Sequence, residues 1–376
     1  MRKLRYGMIG GGAGSLIGDA QRRSINIDGN AELACGCFSR DFENTLKTGE
    51  SLFLSPGRLY RSYEEMAAKE AAGPDKIDFV VIVTPNDSHY EISKTFLEAG
   101  IHVVCDKPLV HEISQAEDLK RLATEKNLLF CVTYTYGGFV TVKHARELIK
   151  SGEIGEIRMV MGEYPQGWLS SGDGGKQGAW RLDPAQSGVS NTIGDIGTHV
   201  ENTVAQMTGL KIKRLLAKMD RIAQGRKLDD NSVVLVEYEN GASGAYWASQ
   251  IAIGCDNDLK IRVYGSKGTI EWSLTNAEDL IVIGEDGVRR RYRKGYDAIS
   301  HAAAKYQRVP AGHTEGYLEA FGNIYSNFCA CLLKHETGGL SKDDIDFPTI
   351  DDGLDGVKFI HKCVESAENG NIWVNY

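Results

Sequence analysis

Lys107, Asp195 and His199 are the side chains whose types and settings could do chemistry on a bound small molecule. Lys107 and Pro108 directly follow Ile101-His102-Val103-Val104-Cys105-Asp106, a largely apolar run that reads as a buried parallel strand. Ligands of open α/β sheets bind beyond the carboxyl ends of the strands, so this lysine is a cation delivered to the rim of a cofactor crevice. Without that context it would be an ordinary solvated loop residue. Asp195 and His199 stand four apart in Gly194-Asp195-Ile196-Gly197-Thr198-His199, opening an amphipathic stretch that runs to residue 207. If that stretch is helical, the two share one face. An imidazole near its ordinary pKa can remove a hydroxyl proton, and a carboxylate beside it orients the ring and stabilises the imidazolium. The plain alternative is a helix N-cap by Asp195 with an exposed histidine. A lysine desolvated at the rim would itself become a base, so two proton acceptors stay in play.

The elements that must position Lys107 read as a nucleotide-binding domain. Residues 3–9 form a strand, and Gly10-Gly11-Gly12-Ala13-Gly14-Ser15-Leu16-Ile17-Gly18 turns into a helical segment. Gly10 and Gly12 fit a G-x-G-x-x-G fingerprint, which allows a tight turn and a close backbone approach to a pyrophosphate at a helix N-terminus. The third position is Ser15, still small, with Gly14 beside it. A strand at 32–38 ends in Ser39-Arg40-Asp41, roughly twenty residues beyond the fingerprint, where an acidic residue ordinarily holds the adenosine ribose. Ser39 and Arg40 suit a 2′-phosphate and so NADP, whereas Asp41 within reach of the ribose would favour NAD. A strand at 78–83 ends in Thr84-Pro85-Asn86-Asp87-Ser88-His89, a helix spans 91–99, and after the Lys107 strand come a helix near 114–126 and a strand at 128–133. This alternation predicts a doubly wound parallel sheet closing near residue 136. The predicted cofactor contacts are Gly10, Gly12, Ala13, Gly14, Ser15, Ser39, Arg40, Thr84, Pro85, Asn86, His89, Asp106 and Lys107.

Beyond residue 136 the pattern changes. A helix at 141–151 precedes strands at 157–164, 212–219, 232–238, 242–249, 259–264 and 268–272, separated by turn signals such as Glu239-Asn240-Gly241. Strands in succession predict a mostly antiparallel sheet. Residues 137–376 are therefore an α+β domain for substrate binding and oligomerisation, whose last helix, about 352–367, packs back on the first domain.

A chain of 376 residues suits two such domains, and 42% hydrophobic with 25% charged residues is ordinary for a globular protein. A net charge of −8 argues against nucleic-acid binding. The one basic cluster, Arg289-Arg290-Arg291-Tyr292-Arg293-Lys294, reads as a solvated hairpin. No apolar run is long enough for a membrane span and no signal-peptide core is visible, which points to the cytoplasm. The eight cysteines show no C-x-x-C spacing, so reduced thiols, no disulfide framework and no metal are expected.

Taken together, the glycine loop, Thr84-Pro85-Asn86 with His89, Lys107-Pro108 and Asp195-x-Gly-x-His199 resemble the Gfo/Idh/MocA oxidoreductases, in the same order and over nearly the whole chain. The family usually has Glu-Lys-Pro; here Asp106 replaces the glutamate. The resemblance implies a Rossmann domain, NAD or NADP with a leaning to NAD, a second domain with a large open sheet that often mediates dimers or tetramers, and Lys107, Asp195 and His199 lining the substrate cleft beside the nicotinamide. Gln166-Gly167-Trp168, Trp180-Arg181 and Gly312-His313-Thr314-Glu315-Gly316-Tyr317 resemble segments of the branch acting on sugars, glycosides and anhydrosugars. Tyr136, Gln166, Trp168, Trp180, Arg181, Gln250, His313 and Tyr317 are accordingly candidate substrate contacts, joining Lys107, Asp195 and His199. The expected activity is hydride transfer between a secondary hydroxyl of a sugar, glycoside or cyclitol and the nicotinamide. Two other readings share the scaffold: a redox-assisted glycosidase and a non-catalytic sugar sensor.

Overall fold

A computed structural model describes residues 2–172 and 175–376. The chain falls into two units, the first comprising residues through Thr135 with Tyr317–Leu354, the second Tyr136–Gly316 with Asp355–Tyr376.

The first unit is built from β1 (Leu4–Gly10), α1 (Leu16–Asn26), β2 (Ala31–Cys37), α2 (Phe42–Ser51), α3 (Tyr63–Ala72), β3 (Phe79–Val83), α4 (His89–Glu98), β4 (His102–Cys105), α5 (Ile113–Glu125) and β5 (Phe130–Val132). The strands pair in parallel in the order β2-β1-β3-β4-β5. The order reverses at β1 and β3, so the crevice of a doubly wound sheet opens at the carboxyl ends of these strands. β3 is buried along its whole length, as a strand covered on both faces must be, and its Phe-Val-Val-Ile-Val sequence meets that demand.

The segment Tyr317–Leu354 also belongs to this unit, whereas the sequence pattern suggested one unbroken second domain from residue 137. The reason is the long helix in this segment, over Tyr317–Glu336. Its Phe321, Ile324, Tyr325 and Phe328 recur on one face and are buried in the same core as Tyr6 and Phe79. Phe328 meets Phe79 edge-on at 5.3 Å, and Phe79 stacks on Tyr6 at 5.6 Å. Each such side chain contributes roughly 1.5–3 kcal/mol by leaving water.

The second unit contains α6 (Val140–Lys150), β6 (Ile157–Pro165), α7 (Gly175–Arg181), α8 (Pro184–Ser187), α9 (Thr198–Thr208), β7 (Ile212–Asp220), β8 (Asn231–Tyr238), β9 (Ser243–Ser249), β10 (Lys260–Gly265), β11 (Gly268–Ser273), β12 (Asp279–Gly284), β13 (Arg289–Arg293), α10 (His301–Ala304) and β14 (Val374–Asn375). The Tyr317–Glu336 helix is α11, and α12 (Ile350–Glu368) begins in the first unit and continues in the second from Asp355. The nine strands form one sheet in the order β13-β12-β11-β10-β6-β9-β8-β7-β14, antiparallel except for the β6–β9 pair. α9 lies so close to β6 that a Cβ on Gly162 would come within 2.4 Å of Val200. The basic cluster is the outer strand of the β12–β13 hairpin, and it is neutralised locally. Arg289 pairs with Glu271 at 2.6 Å, Arg290 with Glu153 at 3.2 Å, and Arg293 with Glu278 at 2.9 Å and Asp279 at 3.0 Å. Charged side chains on an outer strand also discourage edge-to-edge pairing.

Candidate active site

The glycine turn leaves β1 with Gly10, Gly11 and Gly14 at positive φ. Gly12 donates its N–H to the carbonyl of Phe38 at 3.1 Å, and a Cβ there would press on that carbonyl at 2.9 Å. Ser15 accepts the N–H of Gly18 at 3.2 Å and caps α1. The close helix–strand approach that the third glycine of the fingerprint serves falls at Gly18, where a Cβ would meet Gly11 Cα at 2.3 Å. Ala13 N–H donates to Thr48 at 3.0 Å, tying the turn to α2. A rigid, side-chain-free turn at the N-terminus of an eleven-residue helix fits a dinucleotide pyrophosphate.

At the end of β2, Asp41 accepts the N–H of Glu43 and caps α2, which commits that oxygen to the helix. Ser39 accepts the N–H of Asp41 at 3.1 Å, and Arg40, with its side chain 87% exposed, stands 3.9 Å from Asp87.

Beyond β3, Thr84 accepts the Ser88 hydroxyl at 2.8 Å, and Asn86 is buried in the short turn before α4. Lys107, half-buried, precedes a cis bond to Pro108. Its N–H donates to Asp106 Oδ1 at 2.9 Å, and the Thr133 hydroxyl donates to the same oxygen at 2.9 Å. Asp106 therefore spends that oxygen on holding the turn. His89 is fully buried, with Nδ1 3.0 Å from the carbonyl of Pro108 and Nε2 2.9 Å from that of Thr84. With both ring nitrogens so placed, His89 has none to offer a cofactor, contrary to the sequence expectation.

In the second unit the chain makes a π-helical turn over Ile193–Gly197 before α9. Such turns insert an extra residue into a helix and often mark functional positions. This one carries Asp195, which is not a helix cap. Its Oδ2 accepts Arg181 Nε at 3.1 Å and Gln250 Nε2 at 2.8 Å. Arg181 in turn stacks over Trp180 at 4.3 Å and lies 5.8 Å from the ring of Trp168. His199 is buried rather than exposed, 4.7 Å from the Tyr136 ring and 6.1 Å from that of Tyr164.

The structure assigns several predicted substrate contacts to internal bonds. Gln250 is fully buried; beyond Asp195, its oxygen accepts Asn191 Nδ2 at 2.6 Å. Gln166 donates to Asn257 at 2.6 Å and accepts the Trp168 indole N–H at 2.8 Å. The Tyr136 and Tyr164 hydroxyls lie 2.5 Å apart, and Tyr164 donates onward to Asn257 at 3.1 Å. His313 is exposed in the turn beyond Pro310, and Tyr317 begins α11 in the first unit.

Sequence reasoning missed Asn191, Thr192, Asp229, Tyr164 and Asn257. Asp229 is buried and accepts the Ser190 hydroxyl and the N–H of Asn191 on one oxygen, the N–H of Ile193 and the Ser232 hydroxyl on the other. Burial pushes its carboxyl upward, with these donors pulling the other way. A polar run, Ser190-Asn191-Thr192, directly ahead of Gly194 was the available signal. The result is a buried chain from Asp229 through Asn191 and Gln250 to Asp195.

All eight cysteines are free thiols, seven of them buried. Among the described residues there is no group of three or more His, Cys, Asp or Glu side chains placed to hold a metal, and no helix long and apolar enough to cross a membrane.

Two family models match the chain: an oxidoreductase family with an NAD-binding Rossmann fold over residues 4–134, and a GFO/IDH/MocA C-terminal domain over residues 142–271. An uncharacterized oxidoreductase of Bacillus subtilis, YfiI, is 37% identical, covering 100% of this chain and 97% of that protein. The levoglucosan dehydrogenase of Pseudarthrobacter phenanthrenivorans is 27% identical over 80% of this chain and 82% of its own length. Among solved structures, an inositol dehydrogenase homolog from Azotobacter vinelandii complexed with NAD+ superposes with a TM-score of 0.95 at 35% identity, covering 100% of this chain and 98% of that one. The same homolog with NADH and myo-inositol gives a TM-score of 0.93 at 34% identity, with the same coverage of both chains.

Proposed function

This chain belongs to the GFO/IDH/MocA family of NAD(P)-dependent dehydrogenases, and we propose that its substrate is a cyclitol or a neutral sugar or glycoside, oxidised at a secondary hydroxyl. One observation carries the substrate reading. Arg181 donates to Asp195 at 3.1 Å while its guanidinium lies over the ring of Trp180 at 4.3 Å. Around Asp195 the charge is paired and the surface aromatic, which suits an uncharged polyol better than a sugar acid at that position. The myo-inositol complex of the Azotobacter homolog supports the same class.

In this reading Gly10, Gly12, Ala13, Gly14 and Ser15 hold the pyrophosphate, Ser39 and Arg40 the adenosine ribose, and Thr84, Pro85, Asn86 and the Asp106–Lys107 turn the nicotinamide side. When bound, the nicotinamide supplies the two-electron acceptor for the hydrogen on the carbinol carbon. His199 takes the hydroxyl proton as the C–H and O–H bonds break and the C=O forms. Lys107 donates a hydrogen bond to the oxygen while its charge develops. Asp195, held by Arg181 and Gln250, keeps the second unit's groups in place. Preorganised donors of this kind stabilise developing charge without reorganising at the moment of reaction.

A homo-oligomer in the cytoplasm completes the proposal. Met159, Val233 and Leu235 are 42–45% exposed, and strand register puts them on one face of the sheet with Met161, Ala245 and Trp247. This apolar patch, bordered on the same face by Glu163 and Glu237, suits a second copy of the chain.

The test is nicotinamide absorbance with a panel of cyclitols, pyranoses, glycosides and sugar acids. Stoichiometric reduction with a neutral polyol, and none with its acid counterpart, is expected. Cleavage of a glycoside without net cofactor reduction would replace the proposal with a cofactor-recycling glycosidase.

A further inference from the structure

The turn that carries Lys107 is held by a residue to which the mechanism above gives no role. His89 opens α4 and is 0% exposed. Both its ring nitrogens face backbone carbonyl oxygens, Nδ1 that of Pro108 at 3.0 Å and Nε2 that of Thr84 at 2.9 Å. A neutral imidazole has one N–H and one lone pair. Against two acceptors, a neutral ring would set its lone pair against a carbonyl lone pair, and only the doubly protonated ring satisfies both.

The setting supports the charge. Burial opposes it, while Cys105 in its thiolate form, the Asp106 carboxylate and a hydrogen bond to the Pro108 carbonyl act the other way and raise the ring to about 9. The two carbonyls belong to turns leaving adjacent strands, β3 and β4, which pair from Phe79 and His102 to Ile82 and Cys105. Pro108 is the residue directly after Lys107. On the other side of the same turn, Asp106 accepts both the Lys107 N–H and the Thr133 hydroxyl. An apolar side chain at position 89 would fill the space and leave two buried carbonyls unsatisfied.

We propose that His89 is a positioning residue: as an imidazolium donating to Thr84 and Pro108 together, it fixes the turn bearing Lys107 against the turn after β3. It acts through Lys107 and touches no reacting atom. This inference rests on the dehydrogenase reading for the consequence at Lys107, though the charge state of the ring can be measured without it.

The experiment is a double-mutant cycle with a spectroscopic control. His89→Ala and His89→Gln are made alone and in the Lys107→Ala background, and kcat, KM and cofactor affinity are measured for each. Misplacing a reacting group by about an ångström costs on the order of 100-fold, so His89→Ala should lower kcat about 10- to 100-fold and leave cofactor affinity within about threefold. His89→Gln, which keeps a donor for one carbonyl, should fall between. Residues acting through one another are non-additive, so His89→Ala should cost less than about twofold once Lys107 is gone. A multiplicative loss in that background, or an unchanged kcat in either single variant, overturns the proposal. Nitrogen NMR of the wild-type ring near neutral pH should show both nitrogens protonated; a neutral ring overturns it even if neither variant folds. If the wild type reduces its cofactor with no polyol, the dehydrogenase reading fails separately, and the NMR result still decides the state of His89.

Discussion

Gln250 donates to Asp195 Oδ2 at 2.8 Å with one end of its side-chain amide and accepts from Asn191 at 2.6 Å with the other. The carboxylate of the second unit's Asp195 is thus aimed by a neutral amide whose orientation is itself fixed by a buried chain ending at Asp229. An amide, unlike a second cation, orients the group without adding charge to it.

Gln250→Leu removes the donor to Asp195 and leaves one N–H of the Asn191 amide without its acceptor, the other still donating to the Asp229 carbonyl at 3.1 Å. It should lower kcat about 10- to 100-fold with little change in substrate KM, and cost roughly 1–3 kcal/mol in unfolding free energy. Steady-state kinetics with urea unfolding checks both. A raised KM at unchanged kcat would return Gln250 to the substrate contacts.

Arg40→Ala tests the adenosine-ribose end of the cofactor site. Arg40 is the exposed cation directly beyond β2, and Asp41 is engaged in capping α2. A charge-assisted contact to a 2′-phosphate is worth roughly tenfold in affinity, so the variant should weaken NADP by about that factor and leave NAD nearly unchanged. Titration with both cofactors decides it, and an unaltered NADP-to-NAD ratio rejects the role.

His102 and His89 should give the first unit opposite pH limbs. Burial first, and then the neighbouring His335, lower His102 to about 4, and its Nδ1 already accepts the N–H of Leu129 at 2.9 Å. Below its ordinary value of 6.5 the unfolded chain takes a proton that the folded ring refuses. Stability should therefore be retained above pH 6.5 and fall as the pH drops through 4, by on the order of 3 kcal/mol. For His89, raised from 6.5 to about 9, the contribution is full below 6.5 and is lost as pH rises through 9. Urea unfolding across this range should show both limbs, with His102→Gln losing the acid one and His89→Gln the alkaline one.

Much of the first unit was legible in the sequence because its signals are local. Apolar runs ending in Gly10, Thr84-Pro85 and Lys107-Pro108 announce parallel strands whose carboxyl ends face a crevice, and the strands lie there. The return of α11 was not legible. Its Phe321, Ile324, Tyr325 and Phe328 repeat marks a buried helix face but does not name the core it enters. At the candidate site the chemical types of Lys107, Asp195 and His199 stood out, while the partners that set them did not. Asn191, Asp229 and Gln250 come from separate stretches of chain, and only tertiary folding brings their hydrogen bonds together. Gln166 and Gln250 looked like sugar contacts for the same reason: a glutamine in sequence does not reveal that both ends of its amide are taken.

In the proposed reaction the hydrogen on a secondary carbinol carbon passes directly to the nicotinamide. The most direct measurement uses a polyol accepted in the panel, deuterated at the oxidised carbon, with mass analysis of the reduced cofactor and product. One deuterium on each reduced nicotinamide and a ketone product are expected, with both formed far more slowly in Lys107→Ala. Deuterium released to water, or product formed while the cofactor remains oxidised and unlabelled, would contradict direct transfer.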